Sequence, residues 1–167
     1  MINLLLWPVF YVVALWGLGQ VTTFAPTLVS VLAILIYLFT TKNKEYSLST
    51  QKILLTLGAT AILVVTSVLL TDKQEVTKLT FLNVIILAPI AEEIVFRELS
   101  FKRSQMGPIV AAVVSTALFA VAHGLDINVI IASAIAGFTL CALYYLTDAL
   151  VCTIIAHILA NLILVFI

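Results

Sequence analysis

The stretch "APIAEEIVFRE", residues 88–98, places charged side chains inside a segment that is otherwise apolar. Residues 81–90 carry no charge, and Glu92, Glu93, Arg97 and Glu98 then follow within a few positions. A charged side chain at the centre of a membrane costs at least about 2.5–3.5 kcal/mol, so it normally faces a bundle interior or a water-filled cavity. The stretch therefore predicts a membrane helix with a polar side that faces inward.

The whole chain has the composition of an integral membrane protein. Of its 167 residues, 63% are hydrophobic and 10% are charged, whereas soluble domains carry roughly 25% charged residues. Polar breaks divide the chain into about seven stretches near the length of a spanning helix. We therefore expect an all-α, polytopic transmembrane bundle of about seven spans with an intramembrane polar cavity. The expected spans are residues 2–19, 22–40, 53–71, 79–98, 108–124, 127–147 and 149–167.

These spans are expected to form a single transmembrane domain over residues 1–167. Its N-terminal part, residues 1–78, carries no motif, and residues 79–167 form the motif-bearing core. Eight basic and eight acidic residues cancel, so nothing indicates a nucleic-acid partner, and the expected surroundings are the lipid bilayer. The positive-inside rule predicts a cytoplasmic N-terminus. The residues that decide this orientation are Lys42, Lys44, Lys52, Lys102 and Arg103 on one face, against Lys73 and Lys78 on the other.

Proline and small residues add two structural expectations. Pro89 lies one turn before Glu92 and removes the α-helical partner of the Ile85 carbonyl, which predicts either an ordinary kink or a bend that opens a wet cavity. Small residues spaced by four, Ser133 with Gly137 and likewise Ala132 with Ala136, predict a close-packing face on the sixth span.

Further polar residues in apolar spans suggest a single site. His123 and His157 fall in the fifth and seventh spans. Phe119 lies four residues before the first histidine, and Asn161 lies four residues after the second. Glu93 and Arg97 have the spacing of an ion pair along one helix face.

Two chemistries suit this set. A carboxylate with an imidazole can take a proton from water and return it to a leaving amine, while a second imidazole and an amide stabilise an oxyanion. Alternatively, one glutamate and two histidines form a zinc ligand set with an open position. The sequence contains no HExxH motif, which would be the usual helix-borne zinc signature.

Helix geometry raises one difficulty for a shared site. Counted from the cytoplasmic helix ends, Glu92 and His157 lie at a depth of ~13–15 Å, but His123 lies at ~22 Å. Helix tilts of about 20° are ordinary and would reduce this difference.

Taken in order, the three motifs resemble one family. Glu92, Glu93 and Arg97 match EExxxR, Phe119 and His123 match FxxxH, and His157 and Asn161 match HxxxN. The chain is therefore similar to the CPBP or Abi family, the CAAX protease and bacteriocin-processing proteins, which include the type II CAAX prenyl endopeptidases. The resemblance implies an intramembrane protease built as a helical bundle with a conical cavity.

The resemblance also implies roles for single residues. Glu92 and His123 would activate water, and His157 and Asn161 would stabilise the oxyanion, which makes these four residues the expected catalytic set. Glu93, Arg97 and Phe119 would shape the site. No cofactor is expected, and the alternative is a metalloendopeptidase in which Glu92, His123 and His157 hold a divalent metal such as zinc.

The implied substrate is a membrane-associated peptide or protein, cleaved by an endopeptidase. A chain this short is more similar to the bacterial members, with roles in bacteriocin processing, self-immunity or peptide signalling, and so implies a multi-pass protein of the bacterial plasma membrane. A prenylated CAAX substrate and the oligomeric state are left open. The alternatives are a non-enzymic bacteriocin-immunity protein of the same fold and, less favoured, a proton or metal transporter.

Overall fold

The computed structural model describes residues 6–19, 25–40, 48–71, 78–102 and 107–167. These ranges contain helices and no β-strand, which confirms the predicted all-α class. The elements are α1 (Leu6–Gly19), α2 (Ala25–Thr40), α3 (Thr50–Leu70), α4 (Lys78–Leu82), the π-helix π1 (Asn83–Leu87), α5 (Ala88–Glu93), the π-helix π2 (Ile94–Lys102), α6 (Pro108–His123), α7 (Ile127–Thr147) and α8 (Leu150–Phe166).

The elements α4, π1, α5 and π2 follow one another without a break, and we call them together the composite helix. Each predicted span overlaps one of α1, α2, α3, the composite helix, α6, α7 and α8, and residues 2–5 and 22–24 of the first two spans lie outside the described residues. Two of these, α3 and α7, are long and apolar enough by length and composition to cross a membrane. The span count and the orientation stay predictions, and Lys42, Lys44, Lys73 and Arg103 lie outside the described residues.

Local side chains set several helix ends. Ser49 caps α3, where its hydroxyl accepts a hydrogen bond from the backbone N–H of Lys52 at 3.3 Å. Asp126 caps α7 and accepts from two backbone N–H groups of the first turn, at 2.9 and 3.2 Å. At the other end of α7, Asp148 adopts the left-handed conformation, with a φ of 45°. Such caps satisfy backbone groups that the helix itself leaves unpaired.

Pro89 acts on the composite helix through a π-helical register. In π1 the N–H of Ala88 donates to the carbonyl of Asn83, five residues earlier. In this register the missing N–H of Pro89 leaves the carbonyl of Val84 without a helical donor. The side-chain amide of Asn161 donates to that carbonyl at 2.8 Å. The prediction named the carbonyl of Ile85 by α-helical counting, and the carbonyl that accepts the side-chain donor is that of Val84, one residue earlier.

The charged stretch lies in the interior of the bundle. Residues 91–100 are all buried, including Glu92, Glu93, Arg97 and Glu98. Helices α1, α2, α6 and α8 all contact the composite helix, while α3 packs against α7 and α8. The composite helix therefore has the central position, as its polar side predicted.

Close packing at Gly137 fixes the distance between α6 and α7. A Cβ atom at this position would lie 3.2 Å from Cδ1 of Phe119 and 3.3 Å from Cγ2 of Thr116. Ala132 and Ser133, one turn or more earlier on α7, are buried as well. These contacts confirm the predicted close-packing face, and they set Phe119 against α7.

Replacement of Gly137 by alanine tests this packing. We expect Gly137→Ala to lower the free energy of unfolding by about 1–3 kcal/mol, because the added methyl group overpacks the contact with Phe119 and Thr116. Gly58→Ala is the matched control, since that helical glycine has no atom within 4 Å of a built Cβ. The measurement is thermal unfolding in detergent. Equal stability of the two variants would contradict the packing account.

Candidate active site

One cavity joins the predicted site residues. Its volume is about 550 Å³, and its walls come from α3, the composite helix, α6, α7 and α8. The four residues that were predicted to be catalytic all line it: Glu92, His123, His157 and Asn161. Three separate helices therefore place their polar side chains in one cavity.

The carboxylate of Glu92 lies between the two imidazoles. Its Oε2 atom is 4.0 Å from Nε2 of His123 and 3.8 Å from Nε2 of His157. The depth difference that upright helices would give is therefore absent in the folded bundle. Both separations exceed a direct hydrogen bond and match the spacing of polar groups that share a water molecule.

A backbone carbonyl holds the ring of His123. Its Nδ1 atom lies 2.9 Å from the carbonyl oxygen of Phe119, one turn earlier on α6. A carbonyl oxygen only accepts hydrogen bonds, so Nδ1 carries the proton and donates. In the neutral ring Nε2 is then an acceptor, and this is the atom that faces Glu92. One third of the side chain, 33%, is exposed, which leaves Nε2 accessible from the cavity.

A carboxylate holds the ring of His157. Its Nδ1 atom donates to Oε1 of Glu93 at 3.0 Å, and the contact joins α8 to the composite helix. Glu92 and Glu93 are adjacent in the chain, but they contact opposite nitrogens of the same ring. The two histidines therefore differ in one respect that matters chemically, because only His157 has an anionic partner behind it.

Glu93 and Arg97 form the predicted ion pair. Nε of Arg97 lies 3.2 Å from Oε2 of Glu93, and both side chains are fully buried. Among the described residues the two Nη atoms of Arg97 have no hydrogen-bond partner. The centre of the guanidinium lies 4.7 Å from the centroid of the Phe119 ring, so the aromatic face supplies part of the stabilisation.

Phe119 packs against most of the polar groups of the site. Its ring centroid lies 4.4 Å from that of His123 and 5.9 Å from that of His157. On another side it meets Phe96 edge to face, at 5.4 Å. The aromatic residue of the FxxxH motif thus sets the spacing between the two imidazoles.

Asn161 has its amide orientation fixed by the Val84 carbonyl. Because a carbonyl oxygen requires a donor, the atom directed at it is Nδ2, at 2.8 Å. The amide carries two N–H groups, and this contact uses one of them. The second remains available at the cavity wall, where Asn161 lies.

The chain is similar to a known protein family. Residues 74–163 match the family described as type II CAAX prenyl endopeptidase Rce1-like. The match covers more than half of the chain. The chain belongs to the Rce1-like family. Rce1-like proteins are CAAX-type intramembrane proteases, and thus hydrolases, which confirms the resemblance that the three motifs indicated. Neither the curated proteins nor the solved structures gave a match.

The sequence did not predict every polar contact of this Rce1-like chain. Glu98 is buried and accepts a hydrogen bond from the hydroxyl of Tyr144 at 2.5 Å. This contact ties the composite helix to α7 outside the cavity. Ser115, which has no histidine within a helical turn along the sequence, donates to the carbonyl of Phe96 at 2.5 Å. Neither partner is near in sequence, so no local pattern marks these pairs.

The side chains of the alternative metal set lie somewhat further apart than the ligands of a closed zinc site. Ligands at about 2.1 Å from a tetrahedral zinc ion lie about 3.4 Å from one another. The separations from Glu92 to His123 and His157 are 4.0 and 3.8 Å. In the part of the chain that the structure describes, no group of three His, Cys, Asp or Glu residues could hold a metal ion. No metal ion enters the reaction proposed below.

Neutralising Glu93 tests its role as the support of the site. Glu93→Gln leaves the buried guanidinium of Arg97 without its counter-ion, so we expect a loss of about 3–5 kcal/mol in the free energy of unfolding. The double variant Glu93→Gln with Arg97→Met removes both charges and should recover much of that loss. Thermal unfolding of the two variants and the wild-type protein measures both effects.

The same pair of variants separates stability from site geometry. Stability should return in the double variant, but peptide cleavage should not, because His157 still lacks an anionic partner for Nδ1. A double variant that regains both stability and cleavage would show that Glu93 serves Arg97 alone.

Proposed function

We propose that this Rce1-like protein is an endopeptidase that hydrolyses a peptide bond of a membrane-associated substrate by means of a water molecule activated by Glu92 and His123. The observation that carries the proposal is the position of one carboxylate oxygen between two imidazole Nε2 atoms, at 4.0 and 3.8 Å, in the wall of an accessible cavity. General acid–base hydrolysis requires such groups within reach of one water molecule.

A water molecule can bridge Glu92 to either imidazole. The separations of 4.0 and 3.8 Å from Oε2 to the two Nε2 atoms each allow a solvent oxygen at hydrogen-bond distance from both ends. Glu92 and the unprotonated Nε2 of His123 are both acceptors, so together they orient the water molecule. One of the two takes a proton from the water as the water oxygen attacks the scissile carbonyl. The same proton then passes to the leaving amine.

His157 and Asn161 supply donors for the oxyanion. The anionic partner Glu93 behind Nδ1 stabilises positive charge on the His157 ring, which allows Nε2–H to act as a donor. The second N–H of Asn161 is the other donor. Fixed donors directed at the developing negative charge are among the largest contributions to such reactions. The Phe119 carbonyl behind His123 thus favours a base, and the Glu93 carboxylate behind His157 favours a hydrogen-bond donor.

The cavity favours a slender apolar peptide segment as substrate. Its volume of about 550 Å³ lies within the usual range of ligand sites, roughly 300–1,000 Å³. Much of its wall consists of small side chains, among them Ala132, Ser133, Ala136 and Ala160. A membrane-associated peptide fits this lining. Bacteriocin processing, self-immunity and peptide signalling in a bacterial plasma membrane are the proposed settings.

Loss of the water-activating groups tests the proposal. We expect Glu92→Gln and His123→Ala each to lower kcat for a membrane-tethered peptide by about 10²–10⁴-fold, the usual contribution of a general base. The measurement is cleavage by purified protein in liposomes, with mass spectrometry of the products.

Asp126→Asn is the matched control for removal of a carboxylate. Asp126 is exposed and caps α7, and asparagine caps a helix equally well, so its activity and stability should equal those of the wild-type protein. Undiminished turnover in Glu92→Gln or in His123→Ala, with the control intact, would exclude the proposed mechanism. Protection against a bacteriocin that survives Glu92→Gln would instead favour the non-enzymic immunity protein.

Chelation separates this mechanism from a metalloprotease. Purified protein incubated with EDTA or 1,10-phenanthroline and then desalted should retain its cleavage rate, because the reaction proposed here uses no metal ion. Elemental analysis of the same sample shows whether metal was removed. Loss of activity that returns on addition of zinc would support the ligand set Glu92, His123 and His157 instead.

A further inference from the structure

One buried hydroxyl in the wall of the cavity lacks a hydrogen bond of its own. Ser133 on α7 is 7% exposed, and it lines the cavity. The two threonines of α7, Thr139 and Thr147, each donate to the backbone carbonyl four residues earlier, at 2.8 and 2.7 Å. Ser133 makes no hydrogen bond to any of the residues that the structure describes. Buried polar groups without a partner are unfavourable and rare in native proteins, so this hydroxyl is suited to bind a ligand in the cavity.

The packing of α6 against α7 fixes the level of this hydroxyl in the bundle. Gly137 meets the ring of Phe119, where a Cβ atom would lie 3.2 Å from Cδ1. One turn later on α7, Sγ of Cys141 lies 3.8 Å from Oγ1 of Thr116, which comes nearly one turn earlier on α6. The two helices are therefore antiparallel, and a step forward along one corresponds to a step back along the other.

The same register places Ser133 at the level of His123. Ser133 comes one turn before Gly137 on α7, and His123 comes one turn after Phe119 on α6. The serine thus lines the cavity at the level of the imidazole that faces Glu92. Glu92 belongs to α5, so the serine and the carboxylate lie on different walls. A peptide between these walls would contact Ser133 while its scissile bond faces Glu92 and His123.

Small neighbours make this part of the wall accessible to a peptide backbone. Ala132 and Ala136 line the cavity on the same helix, and their side chains are single methyl groups. The N–H and C=O groups of an extended peptide lose their water on entry to an apolar cavity, so they require new partners. A serine hydroxyl can donate to a carbonyl or accept from an N–H group. Ser133 is therefore suited to hold a substrate by its main chain.

We propose that Ser133 is a substrate-binding residue, whose hydroxyl forms a hydrogen bond with one backbone amide group of the bound peptide near the scissile bond. This inference rests on the proposed function. It assigns to α7, which carries none of the three motifs, the task of aligning the substrate main chain opposite the water-activating groups.

The variant Ser133→Ala tests this role because it removes only the hydroxyl. We expect kcat/KM for the membrane-tethered peptide to fall about three- to tenfold, the usual effect of losing one neutral hydrogen bond. Most of the change should appear in KM, because the contact holds the substrate before and during the reaction. Stability should not fall, since the hydroxyl makes no hydrogen bond within the described part of the chain.

Thr139→Val is the matched control. Thr139 lies on the same helix but not in the cavity wall, so loss of its hydroxyl should leave kcat/KM unchanged. Wild-type kcat/KM in Ser133→Ala would overturn the inference. If Ser133→Ala fails to fold, Ser133→Cys decides the question by the same measurement, because a thiol of similar size is only a weak donor.

Substrates with one ester in place of an amide locate the contact. An ester lacks the N–H group, and its carbonyl is a weaker acceptor. In a series that replaces each amide near the scissile bond in turn, one ester should lower kcat/KM of the wild-type protein about three- to tenfold. The same ester should have no effect on Ser133→Ala, since the partner is already missing. Equal effects in both proteins at every position would contradict a backbone contact.

The outcomes separate this inference from the proposed function. Cleavage by the wild-type protein and by Thr139→Val, with undiminished kcat/KM in Ser133→Ala, overturns the role of Ser133 alone. Absence of cleavage by the wild-type protein overturns both. A fall in kcat of about 10⁴-fold or more in Ser133→Ala would identify a serine nucleophile, which contradicts both the binding role and the water mechanism.

Discussion

The arrangement of the polar cavity depends on the carboxylate of Glu93, which is buried between a cation and an imidazole. One oxygen lies 3.2 Å from Nε of Arg97, and the other accepts from Nδ1 of His157 at 3.0 Å. A buried ion without a partner is unfavourable by several kcal/mol, so the three groups stabilise one another only together. Because His157 comes from α8, the same carboxylate fixes the ring that faces Glu92.

A second tie joins the same two helices on the other side of Glu92. Asn161 of α8 donates to the carbonyl of Val84, which the π-helical register and Pro89 leave without a helical donor. The composite helix and α8 are thus held at two points, one before and one after Glu92. Phe119 packs α6 against the composite helix and α8, since its ring contacts Arg97 and the two histidines. These contacts hold the three helices in the arrangement that brings Glu92 close to both imidazoles.

The sequence predicted the parts of this arrangement that local patterns encode. Apolar length set the helix divisions, and the spacing of four between Glu93 and Arg97 predicted their ion pair. Other parts depend on contacts between distant residues. Asn161 donates to the carbonyl of Val84, within a π-helical segment that the sequence pattern did not predict. Glu98 and Tyr144 are far apart in the sequence, as are Ser115 and Phe96, so no spacing predicted these hydrogen bonds.

The central claim is that Glu92, His123 and His157 share one water molecule, and an experimental structure that resolves ordered solvent tests it most directly. We expect a single solvent oxygen at about 2.6–3.2 Å from Oε2 of Glu92 and from both Nε2 atoms. A metal ion bound at that point, or either imidazole too far away to reach the same solvent molecule, would contradict the account.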